Sequence, residues 1–405
     1  MSAQLVLGLG GTVDYEIRWD AEVIGALARD LGIRRHELTT QVEITDERAL
    51  VVTVLAFLAS GAGGERFVAS SDIVERFANR FEKTITLGGT GVRAGLALAN
   101  VGIPSAQHLV SIDDNVRRLM PPEISWICSA TEDTLDPHLI VQYPVGTIVR
   151  LVDGDVISPA ANRLIFANDP PNREMALAAE LGDLLADARA FLISGFNTMQ
   201  DAALLERRLR DLGSAMASLP ADAVVYYEDA GFYHREFAAI ARDRLLPRID
   251  VYGMNEDELQ EYVGRSVNLL DPADVTGALT EAHRIIPAPA LVVHTRFWSI
   301  AVGSHATRHR GSLESAVRVS ATRYRLGDVF GPDDLDETAA LHRHESGARI
   351  VSAIEAARPD AVGAAAFVVE TDSPTTIGLG DSFVGGFLAP LAHSPTRSGE
   401  TCPSS

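Results

Sequence analysis

Residues 190 to 262 decide the fold. Three apolar runs, Ala190-Phe191-Leu192-Ile193-Ser194, Ala223-Val224-Val225-Tyr226-Tyr227 and Ile249-Asp250-Val251-Tyr252-Gly253, are separated by helix-period segments at Gln200 to Leu212 and Tyr233 to Asp243, and another follows at Glu256 to Tyr262. Short apolar runs alternating with helices of this length make parallel strands joined by helical crossovers. The expectation is an α/β protein built on a doubly wound sheet with helices on both faces.

Toward the N-terminus, Leu5 to Leu9 reads as a first strand ending in Gly8-Leu9-Gly10-Gly11-Thr12-Val13-Asp14. This turn is not a dinucleotide fingerprint, because Val13 stands where the third glycine belongs and no helix pattern opens directly after it. A helix is expected from Asp46 to Ser60. A second glycine turn, Gly88-Gly89-Thr90-Gly91, opens another helix whose free first-turn N–H groups suit an oxygen-rich ligand. From His108 to Ile165 the character changes to short alternating runs, His138 to Tyr143 and Thr147 to Val152, with Asp153-Gly154 as a hairpin turn. Residues 14–45 and 108–165 are therefore expected to form a smaller β-rich lid domain. Residues 1–13, 46–107 and 166–393 form the large domain, and the Pro/Ser/Thr-rich 394–405 a mobile tail.

The chain has 405 residues, 46% hydrophobic and 22% charged, enough for one large core and a second unit. A net charge of −20 repels phosphate backbones and anionic lipid, so nucleic acid and membrane surfaces are not expected as partners. The longest apolar run, Ala49 to Ala62, is about 14 residues against the roughly 20 that span a bilayer. Cys128 and Cys402 are the two cysteines and no basic leader opens the chain, which fits a reducing cytoplasm without an export signal. The sequence shows no interface, and a monomer is expected.

The chemistry concentrates in a few motifs. In Thr376-Ile377-Gly378-Leu379-Gly380-Asp381-Ser382-Phe383-Val384-Gly385-Gly386-Phe387 the glycines allow a tight loop whose N–H groups converge at a helix start, suited to a developing phosphoryl charge. Asp381 is placed there to accept a proton from an attacking hydroxyl, although a glycine turn with an acidic N-cap explains the spacing equally simply. In Gly253-Met254-Asn255-Glu256-Asp257-Glu258-Leu259, Asn255 and Glu258 meet at a helix N-terminus. They either hold Mg²⁺ through its waters or close a capping box, and spacing leaves both open. Asp14 and Glu65 follow glycine turns and are candidate partners for acceptor hydroxyls. Arg93, Arg163 and Arg173 offer planar forks for a phosphate on the acceptor. His294, ending the strand Leu291 to Val293, reads as a satisfied sheet-edge histidine; His342 and His344 read as solvent-facing helix residues, with no zinc site.

The Gly-x-Gly-Asp loop followed by a glycine-rich helix resembles the signature of ribokinase-superfamily kinases. Three further stretches resemble the ADP-dependent glucokinase and phosphofructokinase branch: Val224 to Ala230, similar to its His-x-Glu segment; Ile193 to Met199, similar to its Ser-Gly-Phe turn; and Asn162 to Ile165 with Asp169 to Asn172, similar to its Asn-Arg segment. The resemblance implies Mg²⁺-dependent phosphoryl transfer from ADP to a sugar or sugar-phosphate hydroxyl, yielding AMP. It implies Asp381 as base with Gly378, Leu379 and Gly380 as anion hole, and Glu228, Asn255 and Glu258 near the metal. Asn255, His294, Thr295 and Gly380 then contact the nucleotide, while Asp14, Glu65, Gly89, Thr90, Arg93 and Arg163 surround the acceptor. Tyr226 stands where the branch has histidine, and Thr90 follows the paired glycines where sugar kinases commonly carry asparagine, so an acceptor other than glucose or fructose 6-phosphate is open. An ATP-using relative and a catalytically silent sugar-binding regulator are the rival readings.

Overall fold

Along each core strand, alternate side chains enter different cores: Leu5 and Leu7 pack with Ala190, Leu192, Tyr226 and Val251 on one face, and Val6 with Phe191, Ile193, Tyr227 and Tyr252 on the other. A strand buried on both faces in this way sits inside a sheet covered by helices on both sides. The computed structural model describes residues 4–371, 375 and 377–393. Its strands are β1 (Leu5–Leu7), β2 (Thr12–Ile17), β3 (Gly64–Phe67), β4 (Lys83–Gly88), β5 (Ser105–Leu109), β6 (Ile124–Cys128), β7 (His138–Tyr143), β8 (Ile148–Leu151), β9 (Gly154–Ile157), β10 (Asn162–Ala167), β11 (Ala190–Ile193), β12 (Val224–Glu228), β13 (Val251–Asn255), β14 (Ala290–His294), β15 (Trp298–Val302) and β16 (Ala361–Ala365).

Nine strands form the large sheet in the order β16-β15-β14-β13-β12-β11-β1-β5-β6. From β6 to β14 neighbours run parallel, and β15 and β16 are antiparallel additions. The α/β expectation is met. The helices Thr90–Asn100, Arg310–Leu326 and Leu379–Leu388 cover the Leu5 face; Ala202–Ala215, Arg235–Leu245 and Pro272–Ile285 cover the other.

A five-stranded sheet, β3-β10-β7-β2-β4, stands apart from the large one. One face (Val13, Tyr15, Leu139, Val141, Leu164, Phe166) closes on the helices Ala21–Asp30, Glu47–Ser60 and Ser71–Ala78. The helix expected from Asp46 has Asp46 as N-cap and Gly61, at φ 66°, as its C-terminal stop. Strand membership divides the chain differently from the sequence expectation. β5 and β6, inside 105–128, join the large sheet, whereas β3 and β4, inside 64–88, join the small one. Both regions alternate apolar runs with helices, and that pattern does not say which sheet a strand extends. Among the described residues no helix is long and apolar enough to cross a membrane. The tail 394–405, with Cys402, lies outside the described residues.

Candidate active site

The carboxyl ends of adjacent parallel strands bring together residues far apart in sequence. β11 ends at Ile193, just before Ser194-Gly195, β12 at Glu228, β13 at Asn255 and β14 at His294, and register sets Glu228 opposite Gly253 and Asn255 opposite His294. The open face of the small sheet stands across from them, carrying Thr12 and Asp14 on β2, Glu65 and Phe67 on β3, His138 and Ile140 on β7, and Arg163, Ile165 and Ala167 on β10. Between the two lies a cleft of ≈ 750 Å³. Asp14, Glu65, Gly89, Thr90, Arg93, Arg163, Arg173, Glu228, Asn255, Glu258, His294, Gly378, Gly380 and Asp381 all line it. The ring of Phe67 on the small-sheet wall meets that of Tyr233 on the other, with centroids 4.4 Å apart.

The glycine loop forms the floor. Gly378 caps the helix Leu379–Leu388 at φ 68°, and a Cβ there would lie 2.8 Å from Arg93 Cδ and 3.1 Å from Asp381 Oδ2, so the position requires glycine on both grounds. The Ser382 amide donates to the Gly378 carbonyl at 2.9 Å, and buried Arg323, itself held by Asp328, donates to the Ile377 carbonyl. Asp381 thus sits in the first turn, facing the cleft, where the helix dipole favours an anion. Leu379 and Thr295 do not line the cleft. The Thr295 hydroxyl donates to the Trp298 carbonyl and accepts from the Phe297 and Trp298 amides, which locks the β14–β15 turn. Thr376 lies outside the described residues.

Asp14 and Arg93, read from sequence as separate acceptor contacts, are a buried ion pair at 2.8 Å. Asp14 Oδ1 also accepts from the Thr12 hydroxyl at 2.7 Å, and Glu16 lies 3.6 Å from the same guanidinium. Arg93 reaches on toward Gly378 and Asp381, so it joins the small-sheet wall to the glycine loop.

Sequence reasoning missed His138. It opens β7 opposite Asp14, and its Nε2 contacts Asp169 Oδ2 at 2.9 Å; Asp169 in turn accepts from the Asn172 amide and side chain. Burial disfavours charge on this imidazole, but Asp169, Asp14 and Glu65 outweigh it and raise its proton affinity. The signal available in sequence was the alternation His138, Ile140, Gln142 on one face of its strand.

Glu228 accepts from the Tyr226 hydroxyl at 3.1 Å and pairs with His294 Nε2 at 2.8 Å. Gly253 is enforced here, since a Cβ would meet Glu228 Oε2 at 2.1 Å. His294 stacks on Phe383 and lies against Gly380. Burial opposes its charge, yet Glu228, with Glu258 and Glu256 behind it, holds the imidazole above its usual range. The sheet-edge reading of His294 is corrected: β14 lies between β13 and β15, and the ring faces the cleft. The helix reading of His342 and His344 is corrected too, since both precede the helix Glu345–Ala357 and His344 Nδ1 caps it by accepting from the Gly347 amide.

Asn255 and Glu258 do close a capping box: Asn255 Oδ1 accepts from the Asp257 and Glu258 amides, and Glu258 Oε2 accepts from the Asn255 amide at 2.7 Å. Among the described residues no three carboxylates, histidines or cysteines lie close enough to chelate a metal directly. The Glu258 carboxyl is nevertheless pushed up to about 8, by burial first and then by the charges of Glu228 and Asp229. The carboxyl groups of Glu228 and Glu258 face the same cleft, a donor set that a divalent cation keeping its water shell would fit, as Mg²⁺ commonly does.

Residues 3–386 match the family model described as the ADP-specific phosphofructokinase/glucokinase conserved region. A probable ADP-dependent glucokinase of Caenorhabditis elegans is 22% identical over 216 residues, 51% of this chain and 42% of that protein, so the match spans less than half the length of this curated relative. A hypothetical ADP-dependent phosphofructokinase from Pyrococcus horikoshii OT3 superposes at a TM-score of 0.77 with 18% identity, covering 96% of this chain and 97% of its own. The last common ancestor of ADP-dependent phosphofructokinases from Methanosarcinales reaches 0.78 at 16% identity, with 98% of this chain and 95% of its own covered. An ADP-dependent kinase in complex with fructose-6-phosphate and ADPβS reaches 0.72 at 15% identity, with 97% and 94% covered.

Proposed function

The chain belongs to the ADP-specific phosphofructokinase/glucokinase family, and from that premise we propose that it transfers the terminal phosphoryl group of ADP to a hydroxyl of a sugar or sugar phosphate in the cytoplasm. The observation that carries this reading is the place of Asp381: first turn of the glycine-loop helix, on the cleft floor, between the strand-end residues and Asp14 on the opposite wall.

The acceptor hydroxyl oxygen attacks the β-phosphorus, the bond from that phosphorus to the bridging oxygen breaks, and AMP leaves with the bridging oxygen. Asp381 accepts the hydroxyl proton, and the amides after Gly378 receive the developing equatorial charge. Asp14, His138 and Glu65 orient the acceptor hydroxyls, and Arg163 and Arg173 face the same space as counter-charges for an acceptor phosphate. Arg93 holds Asp14 and stands beside Asp381, so two carboxylates can flank one substrate without a net buried repulsion. His294 brings a proton-retaining imidazole against Gly380 at the nucleotide end. Glu228, Asn255 and Glu258 would hold Mg²⁺ through its waters, and that ion supplies charge neutralisation of the diphosphate. The two sheets form a large domain and a lid, and closure of one on the other excludes water from the transfer.

The test is a coupled assay of the purified chain with Mg²⁺ across sugars and sugar phosphates, offering ADP and ATP separately. Acceptor-dependent AMP from ADP is the expected result. ADP released from ATP alone would overturn the donor assignment, and silence with both would overturn the activity. Asp381→Asn is expected to lower kcat by about 10² to 10⁴ with the fold intact; near-normal turnover would remove Asp381 as the base.

A further inference from the structure

Four of the ten exposed large hydrophobic side chains among the described residues fall within residues 145–157: Val145, Ile148, Val152 and Ile157. This concentration lies on one hairpin. β8 and β9 make a two-stranded ladder separate from both larger sheets, with Ile148 opposite Ile157, Val149 opposite Val156 and Arg150 opposite Asp155. Strand alternation sends Val149, Leu151 and Val156 into the small-sheet core, and leaves Ile148, Arg150, Asp155 and Ile157 on the outer face. The hairpin needs its inner face to fold, but nothing in its own packing accounts for a cross-strand isoleucine pair held toward water. Its charges are equally unspent, since Arg150 and Asp155 stand opposite each other yet form no ion pair with one another or with any other described residue.

We propose that this face docks on the same face of a second copy of the chain. A two-fold axis running along the strands, midway between two such hairpins, lays β8 of one copy over β9 of the other. Ile148 then meets Ile157 of the partner subunit, and Arg150 meets Asp155 of the partner subunit, each contact occurring twice. The face is self-complementary in both shape and charge under that one operation; a slip of one residue along the strands takes both pairs out of contact. A patch two strands wide is smaller than the roughly 800 Å² per partner of a standard interface, so the dimer is weak and concentration-dependent. It stands in place of the monomer expected from sequence, and it is independent of the kinase reading, because the hairpin lines no part of the cleft.

Sedimentation of the full chain from micromolar to near-millimolar concentration, at about 0.15 M salt where a Debye length of about 8 Å screens the net charge, tests this. The wild type is expected to associate with concentration. Arg150→Asp and Asp155→Arg should each weaken association at least 10-fold, and the two together should restore it, since the swapped pair is again complementary across the axis. A wild type that stays monomeric throughout, single variants that associate like wild type, or a double variant no better than the singles would each overturn the proposal.

Discussion

Replacing Arg93 by methionine keeps most of the side chain's length and removes its charge. The Asp14 carboxylate, 5% exposed, is then left with the Thr12 hydroxyl as its one side-chain hydrogen-bond donor among the described residues. At the 2.8 Å of the native contact, two unit charges at an effective dielectric of about 20 attract by about 6 kcal/mol, most of which offsets the cost of taking both out of water. The pair as a whole therefore contributes little, whereas breaking it from one side costs about 3–5 kcal/mol. Arg93→Met should lose that amount, Asp14→Asn less, because Glu16 still stands 3.6 Å from the guanidinium, and the double variant should recover most of the Arg93→Met loss, because two neutral groups no longer leave a buried charge unpaired. The assay is equilibrium unfolding of the four proteins in urea at pH 7, followed by far-UV circular dichroism. A loss below about 1 kcal/mol for Arg93→Met, or a double variant no more stable than Arg93→Met, would refute the reasoning that this contact is a buried, mutually dependent pair. Turnover separates the two roles of Arg93, since the double variant regains the fold without regaining the cation beside Asp381.

Gly378→Ala places a side chain at φ 68° against Arg93 Cδ, and should cost about 1–2 kcal/mol from backbone strain while lowering kcat far more than KM for the nucleotide; equal kcat would show that the loop geometry does not matter to the chemistry. His108, fully buried, accepts the Ala178 amide at Nε2 and must be neutral to do so; burial pushes its imidazole down to about 4. The unfolded chain binds a proton near pH 6.5 and the fold resists until about 4, so stability is complete above that window and falls as pH drops through it, by up to about 3 kcal/mol. Urea midpoints at pH 7, 5.5 and 4.5 should show a flatter profile in His108→Gln than in wild type; parallel profiles would remove His108 as a source of the acid sensitivity.

The strand-and-helix order from residue 190 onward was legible because a parallel strand buried on both faces must be continuously apolar, and its crossover must carry one polar stripe. The runs read there became β11, β12 and β13 within one or two residues. The need for glycine was also legible in the loop at Gly378, whereas at Gly253 only the structure shows what a side chain would meet. Sheet membership of residues 46 to 128 was not, since the same alternating pattern serves either sheet and only the path of the chain decides which. His138 was missed for a related reason: the acidic residues just before it, Asp133 and Asp136, are not the ones that hold its ring, and its partner Asp169 arrives 31 residues later through β10.

By itself, then, the sequence determined what is local: the period of the strands and helices, the glycine loop with its aspartate, and the meeting of Asn255 and Glu258 at one helix N-terminus, whose capping box only the structure shows. Tertiary structure decided what each of those groups touches. Asp14 and Arg93 are 79 positions apart and Glu228 and His294 are 66, and in each case the partners meet because strands and helix ends converge on one cleft. Charge and hydrogen bonding act over a few ångströms of space, and distance along the chain carries no record of that space until the sheets assemble.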